Sequence, residues 1–137
     1  MKDKMLEFMN GHLLCTMATV TPNALPEAAY VGFTFNEKME IFVGTLNWSR
    51  KYHNIKQNNS VAIVIADTKG EVQYEGKAEE ITDADYRQRI EENHMKKIPG
   101  AAKYRENPEQ VYFKITPTWA RFISHGDPDE MEEFTEF

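Results

Sequence analysis

Seven short runs rich in β-branched and aromatic residues, turn residues between most of them, and only three helical patterns among them predict a mainly β, antiparallel barrel. Strands alternating regularly with long helices would instead indicate a parallel sheet. At 137 residues the chain has the size of one domain. That domain is expected over residues 1–126, followed by an acidic tail at 127–137.

Lys4 to Met9 places Met5, Leu6, Phe8 and Met9 among charges, a short amphipathic helix stopped by Asn10-Gly11. His12 to Val20 is the first strand, turned by Thr21-Pro22-Asn23, and Glu27 to Phe35 the second. Asn36-Glu37-Lys38 makes a hairpin into the third, Met39 to Gly44. A helix over Ser49 to Asn58 follows. Val61 to Ala66 is apolar on both faces, which predicts a central strand. Asp67 to Gly70 turns into a fifth strand, Glu71 to Ile81. Thr82-Asp83-Ala84-Asp85 offers an N-cap and an acidic first turn for a helix over Tyr86 to Lys97, which Ile98-Pro99-Gly100 stops. Val111 to Ile115 and Trp119 to Ser124, divided by Pro117, complete the strands.

The net charge of -6 is concentrated at one end: six acids and no base lie between Asp127 and Phe137, and the remaining body is balanced. A balanced body argues against a nucleic-acid groove, which needs a dominant positive face. No apolar run reaches the ~18 residues of a membrane span, and the first ten residues alternate charged with apolar side chains, unlike a signal peptide. The single cysteine, Cys15, sits in an apolar run and excludes an internal disulfide framework. A cytoplasmic protein is expected.

Catalytic signatures are few. His12, His53, His94 and His125 are dispersed, without a metal-ligand spacing, and there is no nucleophile elbow, phosphate-binding P-loop or dinucleotide turn. The chemically suggestive stretch is Ile41 to Asn54, where a β-type run breaks at Gly44-Thr45 and a helix opens at Ser49-Arg50-Lys51. A serine N-cap, a helix dipole and two adjacent cations suit a phosphate. The alternative is a plain cap with two solvated cations, although bases in the first turn oppose the dipole. A phosphate site without a nucleophile, metal cluster or acid–base pair points to chemistry supplied by a bound cofactor.

Together, Ala18 to Val20 before a turn and Pro26, the strand Ala28 to Phe33, Thr45 with Ser49 to Lys51, Asn59 to Val61 and Glu75 to Ile81 resemble the pyridoxamine 5'-phosphate oxidase-like FMN-binding split-barrel superfamily, from about Met9 to Phe122. The resemblance implies a six-stranded split barrel that forms a homodimer with FMN at the subunit interface. It assigns the phosphate to Ser49, Arg50 and Lys51, with Gly44 and Thr45 beside it, and the flavin ring to the strand at Ala29, Tyr30, Val31 and Gly32. It adds Gln73 or Glu71 as a flavin contact and Trp119 and Arg121 as contributions from the other subunit. The implied function is an oxidoreductase acting on a small organic substrate. A flavin, deazaflavin or haem storage module on the same barrel, or a barrel serving only as an interaction domain, are the alternatives. The oxidases proper carry bases where this chain has none between Leu25 and Phe35, so an anionic phospho-substrate is disfavoured and the nitroimidazole-reductase-like group is the nearer comparison.

In the tail, Met131, Phe134 and Phe137 recur at spacings of three, which suits one helical face, a frayed end, or a flap over a flavin groove.

Overall fold

The computed structural model describes residues 1–137. Its strands are β1 (Leu14–Val20), β2 (Pro26–Phe35), β3 (Ile41–Leu46), β4 (Ser60–Asp67), β5 (Gly70–Glu80), β6 (Gln110–Ser124) and β7 (Glu130–Phe134), and its helices α1 (Lys2–Asn10), α2 (Arg50–Gln57) and α3 (Ala84–Lys97). The strand order is β3-β2-β1-β4-β5-β6-β7, and β3 also pairs with β6, closing the first six strands into an antiparallel barrel. Closure pairs β3 with Gln110–Ile115 of β6 and so covers most of the edge that an open sheet would expose.

The barrel interior follows from period-two alternation: Cys15, Met17 and Thr19 of β1, Val61, Ile63 and Ile65 of β4, and Val72, Tyr74 and Ala78 of β5 are buried. Helix α1 inserts Met5 and Met9, both fully buried, into the same 21-residue core. The Tyr74 hydroxyl lies between the carbonyls of Met39 (2.9 Å) and Ile115 (3.0 Å), which share its one proton, so this fully buried side chain is satisfied.

Three features differ from the sequence reading. The runs at Val111–Ile115 and Trp119–Ser124 are one 15-residue strand, β6. Pro117 fits because the register shifts between Glu75 and Gly76, and the bulge leaves Thr118 unpaired to donate its hydroxyl to the Glu75 carbonyl at 3.2 Å. Strand β4 is central, yet only its Val61, Ile63 and Ile65 face is buried; Ala62, Val64 and Ala66 lie on the exposed outer face. The acidic segment is neither frayed nor helical: Glu130–Phe134 pairs with Ala120–Ser124 of β6, on the edge that β3 leaves free beyond Ile115. Its charges meet cations brought there by the fold, Glu130 with Lys4 (3.4 Å), Glu132 with the N-terminal amine (3.8 Å) and Glu133 with Arg121 (3.8 Å), while Phe134 and Phe137 pack on the core.

Candidate functional site

Strand β3 delivers Thr45 to the start of α2, where the Thr45 and Ser49 hydroxyls are hydrogen-bonded at 2.9 Å. Ser49 is the N-cap, accepting the Tyr52 N–H at 3.2 Å, and no acid occupies the first turn. The helix start is therefore electropositive, with no acid of its own in the first turn to offset the dipole. Lys51 is half-buried, forms no ion pair with any carboxylate of the chain, and is held below the ordinary lysine range by that burial. Arg50 behaves differently. It is 85% exposed and pairs with Glu27 of β2, whose other oxygen accepts from Asn54 at 2.7 Å.

Two adjoining cavities open here. The larger, about 470 Å³, is lined by Tyr30, Val31 and Gly32 of β2, Gly44 and Thr45 of β3, and Ser49 and Lys51, bringing together seven of the ten residues that the sequence singled out. The smaller, about 300 Å³, shares Trp48, Ser49 and Lys51 and adds Ala29 and Arg50. Gln73 borders neither. It accepts from Arg121 (2.6 Å) and donates to Glu71 (2.6 Å) on the outer face of β5. In register, however, Tyr30, Thr16, Val64, Gln73 and Arg121 form one row across β2, β1, β4, β5 and β6.

The wall opposite β2 and β3 was not evident in the sequence. It consists of the end of α3 and the segment after it, with His94, Ile98 and Tyr104, while Gln110 and Tyr112 line the cavity from β6, paired directly beside β3. His94 is 4% exposed. Its Nδ1 lies 3.1 Å from the Thr34 hydroxyl, whereas Nε2 is buried without a hydrogen-bond partner. Burial lowers its pKa to about 4, so the imidazole is neutral, and burial pushes the Tyr112 hydroxyl up to about 12. Two of the cavity's three glycines are explained by close approach: a β carbon on Gly32 would lie 2.8 Å from Ile98 Cδ1, and one on Gly44 would lie 2.5 Å from Gln110 Nε2. Ile90, His94 and Ile98 recur at i, i+4, i+8, a one-face pattern that the dispersed-histidine reading passed over.

The donor set fits FMN on two counts. An unpaired, half-buried ammonium at a capped helix start suits a phosphate, and an unpartnered neutral imidazole suits the polar edge of an aromatic ring.

A closed six-stranded antiparallel barrel with an anion-suited helix start on its rim defines the split-barrel class of proteins. Residues 1–124 match the family model described as pyridoxamine 5'-phosphate oxidase, and the chain belongs to that family. No curated protein matches. Among solved structures, General Stress Protein 26 from Bacillus anthracis is 24% identical over 97% of this chain and 98% of its own, with a TM-score of 0.73. HutZ, the haem storage protein from Vibrio cholerae, is 16% identical over 98% and 93%, with a TM-score of 0.74. A haem-binding protein from Mycobacterium smegmatis is 15% identical with a TM-score of 0.82, and the chain covers 98% of itself but 57% of that protein. At these identities the likeness is one of fold. No helix is long and apolar enough to cross a membrane.

Proposed function

We propose that this chain binds FMN in the larger cavity and serves as an oxidoreductase for a small organic substrate. The single observation that carries the reading is the continuity of one cavity from the Ser49–Lys51 helix start to the Tyr30–Gly32 strand. Ser49, Thr45 and Lys51 would hold the phosphate, with Arg50 adding long-range attraction while it remains tied to Glu27. The backbone of Tyr30, Val31 and Gly32 would border the ring, and the hydrophobic wall of Ile98 and Tyr104 would limit water access. Bound flavin supplies the capacity to accept and release a hydride equivalent; the protein supplies position and electrostatics. Strand β2 carries no cation, so the reading favours a neutral substrate over a phosphorylated one.

The proposal includes a homodimer. Leu14, Tyr30 and Val64 are 51%, 77% and 40% exposed on an outer face where β1 and β4 present no charged side chain between Leu14 and Ala66. Burying that face against a second copy removes it from water and would bring the partner's Gln73–Arg121 pair toward the Tyr30 end of the cavity.

The haem-binding proteins with this fold support a second reading, storage of haem or another pigment without turnover. An absorption spectrum after reconstitution separates the two. Flavin bands that bleach with a reductant and return in air support the oxidoreductase; a Soret band with no flavin uptake replaces it with haem binding.

A further inference from the structure

The end of the larger cavity beside α3 holds polar groups of one kind. His94, Gln110 and Tyr112 are each buried to at least nine-tenths. Tyr112 joins the other two: its ring meets the His94 ring edge-on at 5.4 Å and crowds the β-carbon position of Gly44 together with Gln110 Nε2. The Gln110 amide makes only a long 3.3 Å bond to the neighbouring Val111 carbonyl. His94 Nε2 makes none, although burying an unpaired polar atom costs about 1–3 kcal/mol. Thr34 meets the ring at Nδ1 and the backbone of Ile90, Gly32 and Phe42 lies against it, yet Nε2 keeps no hydrogen bond and could accept when Nδ1 donates or donate when Thr34 donates. The cations of the cavity, Lys51 and Lys103, belong to α2 and to the segment after α3.

We infer that His94, supported by Tyr112 and Gln110, forms an uncharged recognition site for the amide-type edge of a heteroaromatic ring, one bearing alternating N–H and C=O groups. The inference rests on the FMN reading above and names the residues that would distinguish its ring. A porphyrin offers no such edge, since its polar groups are two carboxylates; a haem iron would instead take Nε2 as a ligand, and a Soret band on adding haemin that His94→Leu abolishes would overturn the assignment. A flavin offers both halves: a phosphate for Lys51 and a neutral imide-bearing edge for His94.

The test titrates the full chain with FMN, riboflavin and inorganic phosphate, following flavin fluorescence, in wild type, His94→Leu, His94→Gln and Lys51→Ala. His94→Leu should weaken FMN and riboflavin by the same factor, about tenfold, for one lost hydrogen bond in a buried site. His94→Gln, which keeps a neutral hydrogen-bonding group, should recover most of that loss. Lys51→Ala should weaken FMN and leave riboflavin nearly unchanged. A structural role alone would not produce rescue by glutamine or a shift of the His94 Nε2 resonance in nitrogen-15 NMR when riboflavin is added to wild type. If wild type binds FMN and riboflavin while His94→Leu binds both equally well, or if that resonance does not move, the His94 assignment is overturned and the FMN reading stands. If wild type binds neither flavin, the FMN reading falls and takes the assignment with it.

Discussion

Replacing Lys51 with alanine tests the division of labour between the two cations at the start of α2. Lys51 is half-buried on the cavity wall, carries no internal counter-charge, and is already depressed by desolvation. A phosphate there would gain a charge-assisted contact worth about 1.5–3 kcal/mol, so Lys51→Ala should raise the FMN dissociation constant about tenfold to a hundredfold. Arg50 is 85% exposed and engaged with Glu27, so its interaction is screened. Arg50→Ala should cost no more than about 0.5–1 kcal/mol, roughly twofold to fivefold in affinity. Riboflavin, which has no phosphate, should respond little to either change. Fluorescence titration of both flavins with both variants, at low and high salt, measures all of this. Equal losses for FMN and riboflavin, or a larger loss from Arg50→Ala than from Lys51→Ala, would refute the reasoning.

Other outcomes follow from the same structure. Tyr30→Glu places a charge in the middle of the exposed apolar face; light scattering should then report a particle near the 15.9 kDa chain mass, where wild type reports twice that. As pH falls through about 6.5 the unfolded His94 takes up a proton, while the buried ring resists until about 4, so folding stability is lost across that window. Urea unfolding at pH 7 and pH 4.5 should show wild type losing roughly 2.5 kcal/mol more than His94→Leu, and parallel losses would contradict a buried neutral imidazole. Deleting residues 127–137 strips β7 and the Phe134 and Phe137 contacts from the core. It should lower stability by about 2–4 kcal/mol, and an unchanged melting temperature would show that the strand contributes nothing.

Most of the barrel was legible because alternation and turn residues are local signals. The hairpin at Asn36–Lys38, the Ser49 and Asp83 caps and the plug residues Met5 and Met9 all lie where the sequence places them. Pro117 misled because a proline normally ends a central strand, and the bulge at Thr118 that accommodates it shows only once β6 is set in register against Glu75 and Gly76 of β5. The tail misled because its apolar spacing of three suits a helix, whereas its fate was decided by the vacant edge of β6 and by Lys4, Arg121 and the N-terminal amine. In the site, the contributions of β2, β3 and α2 were readable as contiguous motifs. The α3 wall was not, because His94 acquires its meaning from Thr34 and Tyr112, which are distant in sequence. Gln73 lies apart from the cavities within one chain, and its role depends on the proposed second copy.

A crystal structure of the full chain grown with FMN tests the central claim most directly. The account predicts the phosphate within hydrogen-bonding reach of Ser49 and Lys51, and the ring between the Tyr30–Gly32 strand and His94. Flavin density elsewhere on the barrel, or a phosphate held away from α2, would contradict it.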